Sequence, residues 1–465
     1  MMAGFRQFCL AVLIANIGAC GSNESMVASS SDREIASSGV RDNSQQDEGV
    51  SGAEVELGTS NVPEVDRLEE EAGRWRRYRT HRDRSDLTDA QRDQIRELEA
   101  IGYMDGSRIS GLDSGARILM ADRLQPGLNL YSSGHAQEAH LIDAEGSSLH
   151  VWHADFWEIW PDYPVESNHR MTQFWRRVHL LPDGGLLAIY EGLGLICLNR
   201  DSSVRWANPN RAHHDLDIAP DGTILVLTRE AHIVPRVHEA EPILEDFVSV
   251  LDSQTGEELR RISILEAVEA SNYPLLMEGS RGRSGDIYHT NTLRILDTQG
   301  MIAAMQPGRI VLYLLGLGTI AVMDLDDGRI VWASTGPEIH RHDPQLLENG
   351  RILVFNNFNE SPDSTVTEFD PVTGEVLWRY RGSDVLPFYS RTCGTAQRLE
   401  NGNTLITESD NGRAFEVDMS GNMVWEYVSP HRAGPDESYI ATLFELERIP
   451  EPQVRVWLER TELAE

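Results

Sequence analysis

The chain has 465 residues, 40% hydrophobic and 25% charged, enough for a large core or for several repeats that share one. Its formal charge is −33, from 41 basic and 74 acidic side chains. Such a surface repels nucleic acid and anionic headgroups, so nucleic acid is excluded as an expected partner, and an anionic substrate needs local positive groups to bind.

The first twenty residues, MMAGFRQFCLAVLIANIGAC, set Arg6 ahead of an apolar run from Phe8 to Ile17, then small residues and Cys20. The run is too short to span a bilayer as a stable helix and reads as a secretory signal over residues 1–19. Its end, Ile17-Gly18-Ala19-Cys20, resembles a bacterial lipobox, which implies cleavage before Cys20 and a lipid anchor on its thiol. An ordinary signal with an incidental cysteine is the alternative. Gly21 after the cysteine points, by analogy with lipoprotein sorting, to the outer membrane and a periplasm-facing protein, and more than one acyl chain makes such anchoring stable.

Residues 20–65 are rich in Ser, Gly, Asp and Glu and poor in aromatics, which predicts a disordered acidic tether. In the lead-in of residues 66–126, LTDAQRDQIRELEAIGYMDG predicts a short helix. Thr88 as N-cap with Gln91 makes a capping box, Ile95, Leu98 and Ile101 share a face, and Gly102 ends it. If Cys9 leaves with the signal and Cys20 carries lipid, only Cys197 and Cys393 remain, neither a disulfide framework nor a metal-ligand spacing.

Over residues 127–465 internal repetition dominates. An apolar pair, a tight turn and a strand recur as LLPDGGLLAIY, IAPDGTILVLT, LLENGRILVFN and RLENGNTLITE. Asp-Gly and Asn-Gly are hairpin signals because both residues tolerate positive φ. A second hairpin follows with a Trp just after its turn, at Trp152, Trp332, Trp378 and Trp425, and in a degenerate copy at Trp206. The last three of the strong copies are spaced by 46 and 47 residues. Four strands in a period of roughly 40–50 residues predict an all-β fold, a β-propeller. Counting copies gives six blades, opening near Ser133, Arg176, His213, His289, His340 and Arg391. The terminal segment YIATLFELERI is expected to pair with the first blade and close the ring.

The first strand of each propeller blade lines the channel, so the turns leading into those strands gather at one mouth. His213 and His214, His289, and His340 and His342 all stand there, with Arg391 in the sixth blade. Such histidines serve either as hydrogen-bonded ties between blades or as a functional cluster. A functional cluster has two chemistries: metal binding by neutral imidazoles, disfavoured because no carboxylate or cysteine stands at ligand spacing, or one nucleophilic imidazole with others donating hydrogen bonds to an anionic group.

HHDLDIAPDGTILVLT, HTNTLRIL, RHDPQLLENGRILVFNN and the stretch from SRTCGTAQ to VSPHR resemble the bacterial PAPS-independent arylsulfate sulfotransferases, over about Gly127 to Ile449. The resemblance implies a periplasmic six-bladed propeller without a cofactor. It moves a sulfuryl group from an aryl sulfate donor to a phenolic acceptor through a sulfohistidine. By position it implies His342 as the nucleophile and His214 (paired with His213) and His289 as assisting histidines. The family's arginine after the HTN element aligns with Leu315 here, and Arg391 is the substitute expected from its blade-opening position. Trp157 and Trp160 in the insertion between the first two blades, and Phe388 and Tyr389 before Arg391, either cap the mouth or pack the connections. The rival reading is a non-catalytic propeller lipoprotein, an envelope scaffold or ligand-binding protein. A quinone dehydrogenase propeller is disfavoured, since the chain is short for eight blades and lacks vicinal cysteines.

Overall fold

The computed structural model describes residues 107–109, 112–335, 341–357, 363–383, 386–433 and 437–462. The signal, the lipobox Cys20, the tether, the helix expected after Thr88 and the side chain of His340 lie outside the described residues.

Six antiparallel sheets follow one another along the chain as the blades of a propeller. The second blade is Arg177–Leu180, Leu186–Tyr190, Gly194–Leu198 and Val204–Asn208; the third opens at Ala212–Ile218, the fourth at Thr290–Ile295, the fifth at Arg341–Leu346 and the sixth at Thr395–Arg398. These openings fall within a few residues of the expected ones. The first blade differs from expectation in one respect. Its innermost strand is the C-terminal Leu443–Ile449, paired antiparallel with Leu128–Ser133, so Ser133 ends its second strand rather than opening the blade. Closing the ring with the chain's other end removes two exposed sheet edges at once. Ahead of the propeller, Gly115–Ile118 adds a fifth strand to the outer edge of the sixth blade, and the helix Glu451–Glu462 follows the closing strand.

The repeated Trp has a definite task. The indole nitrogen of Trp152 donates to the Gly184 carbonyl (3.0 Å), Trp206 to Ser253 (3.0 Å), Trp378 to Met419 (3.0 Å) and Trp425 to Ala144 (2.7 Å). Each bond runs from the outer strand of one blade to a turn of the next, and the last runs from the sixth back to the first. The Trp faces pack so closely that a Cβ on Gly256, a left-handed turn residue (φ +71°), would come within 2.4 Å of the Trp206 ring. Between sheets lie aliphatic side chains from the middle strands, such as Leu186, Ala188 and Ile196 in the second blade.

The inner strands are tied by carboxylates and amides rather than by histidines. Asp215 and Asp217 of the third blade accept from the Leu293 and Ile295 amides of the fourth, at 2.9 and 2.8 Å. Asp343 and Gln345 of the fifth accept from Ala396 and Arg398 of the sixth, both at 3.2 Å, and Gln397 of the sixth accepts from Arg448 of the first at 2.8 Å. Each bond satisfies an inner-edge amide that no further strand can reach.

Candidate active site

Each inner strand begins irregularly. His214, His289, Asp343 and Cys393, at the openings of four successive blades, have left-handed backbones, with φ of +53°, +45°, +50° and +52°. Strand pairing is bulged just after them, between Ala212 and Leu216, Thr290 and Thr292, and His342 and Gln345. A side chain other than glycine in this region costs on the order of 1 kcal/mol or more, and such strain persists where surrounding contacts over-determine it. Those contacts are visible: the His214 amide donates to Glu191 (2.9 Å), the His289 amide to Asp286 (2.8 Å) and the Asp343 amide to the Thr292 hydroxyl (3.1 Å). A bulge re-aims side chains out of the strand's alternation.

Among the histidines, His213 and His214 are buried and meet through their Nδ1 atoms at 2.9 Å. The His214 ring lies against that of His289, with centroids 4.9 Å apart and planes at 67°. Each faces a buried carboxylate: Asp246 is 3.5 Å from His213 Nε2, Glu191 is 3.5 Å from His214 Nδ1 and Asp286 is 3.2 Å from His289 Nδ1. Burial and then the Arg229 charge hold His213 well below its ordinary pKa; burial and then His289, His213 and Arg176 do the same for His214. Burial pushes the Asp246 carboxyl up to about 8, with the nearby Asp286 charge adding to it.

His342 has a different partner. Its Nδ1 meets the side-chain oxygen of Asn357, whose amide nitrogen donates to the carbonyls of Ser390 (3.0 Å) and Cys393 (2.5 Å). With both amide hydrogens so engaged, the Asn357 oxygen must face His342, and it can only accept. Nδ1 therefore carries the proton and Nε2 keeps its lone pair. Burial lowers the His342 pKa to about 3; the Asn357 bond opposes this, while the charges of Arg176 and His289 reinforce it. The ring still retains some open surface.

Arg176 completes the group and was not among the site residues expected from sequence. It is 4% exposed, and its side-chain hydrogen bond goes to the Cys393 sulfur at 3.4 Å. Its Nε is buried without a hydrogen-bond partner, and its guanidinium lies over Phe444 at 5.5 Å. No carboxylate among the described residues pairs with it. A cation buried with a thiol and a ring as its company is costly unless an anion completes it. A signal for it was present: Arg176, His214 and His342 each stand eight residues ahead of the turn glycine of their blade, at Gly184, Gly222 and Gly350.

Arg391, by contrast, is exposed, and its backbone amide donates to Asp410 at 2.8 Å; among the described residues no hydrogen bond or ring contact joins its side chain to the histidines. Leu315 adjoins His289, its amide donating to the His289 carbonyl at 3.3 Å. Trp157 and Trp160 pack against Phe156, and Trp160 also lies against Tyr163 and Tyr190; Phe388 packs among Phe355, Tyr380 and Phe415. These aromatics serve the blade connections. Cys197 and Cys393 are both free and buried.

Beyond the histidines the inner strands carry a paired charge layer. Arg177 meets Asp215 at 3.1 Å and also Glu445, and Arg294 meets Asp343 at 2.8 Å. A cavity of about 40 Å³ lies among Arg294, Asp343, Gln345, Thr395 and Glu445, room for water but not for an aromatic ester.

Fold and site together define a propeller whose blade openings bring buried histidines beside the Arg176 guanidinium, for which the described residues offer no carboxylate partner. Residues 177–430, more than half of the chain, match the model of the arylsulfotransferase (ASST) family. The protein belongs to that family. Similar solved structures include a protein of unknown function from Bacteroides caccae, 14% identical over 68% of this chain and 99% of that one (TM-score 0.45). Another is the Cps50 (Swd1) β-propeller domain of Myceliophteria thermophila, 12% identical over 73% and 98% (TM-score 0.42). No curated protein matches the sequence.

Proposed function

We propose that the chain transfers a sulfuryl group from an aryl sulfate to a phenol through a covalent intermediate on His342. Membership of the arylsulfotransferase family supports aryl sulfotransfer in general. The observation that carries the finer reading is the tautomer imposed by Asn357, which leaves His342 Nε2 a free lone pair next to the field of Arg176. In the first half-reaction Nε2 attacks sulfur, the N–S bond forms, the S–O bond to the ring breaks, and the phenolate leaves with both electrons of that bond. In the second, an acceptor phenol oxygen attacks the same sulfur, its proton passes to a base, the N–S bond breaks and neutral His342 returns.

In such a transfer the transition-state charge is spread over the equatorial oxygens and little covalent chemistry falls to the protein, so positioning and fixed donors dominate the catalysis. Arg176 supplies the cation, and His214 and His289, their rings held by Glu191 and Asp286, border the transferred group. Arg176 then does the work expected of the family arginine that Leu315 replaces. No cofactor takes part in this sequence.

We further propose that the protein is lipid-anchored through Cys20 at the outer membrane, facing the periplasm; a lipid label lost in Cys20→Ala tests this. A binding-only propeller is the second reading, favoured by Leu315 alone. Phenolate release from a nitrophenyl sulfate, with and without added phenol, separates the two. Acceptor-dependent release that vanishes in His342→Ala supports transfer; no release from the wild type across several aryl sulfates overturns it.

A further inference from the structure

A second histidine cluster lies away from the sulfuryl site, at the seam where the ring closes. His135 sits in the turn between Leu128–Ser133 and Glu138–Ile142 of the first blade, and His140 lies in the latter strand. His431 follows Met423–Val428, the fourth strand of the sixth blade. One nitrogen from each of the three lies within 4.8 Å of the other two. The His135 and His431 rings stack with centroids 3.3 Å apart and planes at 8°, and His140 lies 5.4 and 5.1 Å from them. Tyr131 stacks on His140 at 5.0 Å, closing one side.

The hydrogen bonds of the three rings go to side chains, and one ring nitrogen has no hydrogen-bond partner. Ser133 Oγ lies 2.5 Å from His135 Nδ1, which orients that ring, while His135 Nε2 is buried without a hydrogen-bond partner. Glu138 Oε2 reaches to 3.4 Å from His135 Nε2 and 3.2 Å from His140 Nε2. The Tyr131 hydroxyl is 3.1 Å from His431 Nε2. None of the three rings is bonded to a backbone carbonyl, unlike His150, which meets the Arg200 carbonyl at 2.8 Å. Each neutral imidazole carries one nitrogen lone pair, and a shared cation among the three rings would satisfy them together. Burial, with the neighbouring His140 adding to it, lowers His135 to about 4; burial and then His135 and His140 lower His431 to about 3. The rings are thus neutral, the form that ligates metals.

We propose that His135, His140 and His431, with Glu138 beside them, bind one divalent first-row transition metal, in the first place Zn2+, and so clip the sixth blade to the first. Three imidazoles with an adjacent carboxylate suit such an ion, and Ser133 and Tyr131 act as the outer partners that fix ligand rings. The seam is also held by the pairing of Leu443–Ile449 with Leu128–Ser133, by the Gln397 bond to Arg448 and by the Trp425 bond to Ala144. A metal joining residues so distant in sequence stabilises the closed ring over the open one, since the open chain does not present the three ligands together.

The test uses the untagged full chain, stripped with chelator and titrated with Co2+ as a visible-absorption probe and with Zn2+ by calorimetry. One metal per chain is expected, with ligand-field absorption from Co2+ and a Tm raised by roughly 4 °C at Zn2+ a hundredfold above Kd. Both signals should vanish in His140→Ala and in His431→Gln; the second variant keeps a polar side chain should the first fold poorly. Absence of Co2+ absorption and of any Zn2+-dependent Tm change in the wild type overturns the proposal. So does metal binding that survives His431→Gln and disappears in His214→Ala, which would assign the ion to the Glu191, His213 and His214 group instead. These readouts do not depend on sulfuryl transfer.

Discussion

Replacing Arg176 by Met separates the cost of a buried cation from its use. Met fills a similar volume over Phe444 and beside Cys393, so the substitution removes the charge and little else. For activity, a guanidinium about 4 Å from a sulfuryl oxygen at an effective dielectric near 20 contributes about 4 kcal/mol. Loss of one preorganised donor to such a group costs a factor on the order of 10²–10³ in kcat. For stability the sign reverses. The thiol contact is weak, and a desolvated cation–π contact returns about 2 kcal/mol, against several kcal/mol for desolvating an unpaired ion. Arg176→Met should therefore lower acceptor-dependent phenolate release by two to three orders of magnitude while leaving Tm unchanged or raised. Scanning calorimetry and steady-state kinetics on the same preparation read both. Activity within about threefold of wild type, or a fall in Tm of more than about 5 °C, would refute the placement of Arg176 as an anion-binding cation.

The remaining expectations concern His342 and its surroundings. Asn357→Leu releases the tautomer lock and should cost roughly 10–100-fold in kcat, the range for a lost orienting partner of a histidine; a change confined to KM would count against the lock. Protonation removes the nucleophile only as pH falls through the depressed pKa of about 3, so kcat/KM should show no acid limb from neutral pH down to about 5. A limb at the ordinary histidine value of about 6.5 would mean a solvated ring. Leu315→Arg, beside His289, should recover at least about tenfold of the rate lost in the Arg176→Met background, read by the same phenolate assay; no recovery would mean that a cation there does not reach the transferred group.

Much of the fold was legible because its determinants are local. Asp-Gly and Asn-Gly turns and the Trp that follows the second hairpin are periodic, and Trp152, Trp206, Trp378 and Trp425 each bond to the next blade over, so the period carries that tertiary contact with it. The strand Gly115–Ile118 was missed because it pairs through its backbone on an outer edge and carries no repeat signature. The two helices Ile264–Glu269 and Pro274–Ser280, in the connection between the third and fourth blades, were missed as well, although Ser263 caps the first and Pro274 opens the second. At the site the histidines were legible from their position ahead of the turns. Arg176 was counted as a blade opening yet passed over for Arg391, although it shares its offset from the turn glycine with His214 and His342. Glu191, Asp246, Asp286 and Asn357 come from other strands and connections, and no local period marks a contact made across the mouth. The seam cluster was hidden for the same reason, its third histidine being contributed by the opposite end of the propeller sequence.

Under the proposed function, the placement of charge explains how so acidic a chain would hold an anion. Immediately after His214 and His342 come Asp215 and Asp343, and the left-handed turn at this point sends histidine and aspartate to different tasks. The aspartates face the inner strands, where they accept neighbouring amides and each meets a guanidinium, Arg177 or Arg294. The histidines form a neutral layer, since burial disfavours their cations, and neutral rings are far less costly to desolvate than an equal number of charges. Arg176 is then the fixed positive charge left over in that layer. The surface charge of −33 acts through solvent that screens it within about 8 Å, whereas Arg176 acts across a dry contact. At the distance where sulfur meets nitrogen, the near charge outweighs the far ones.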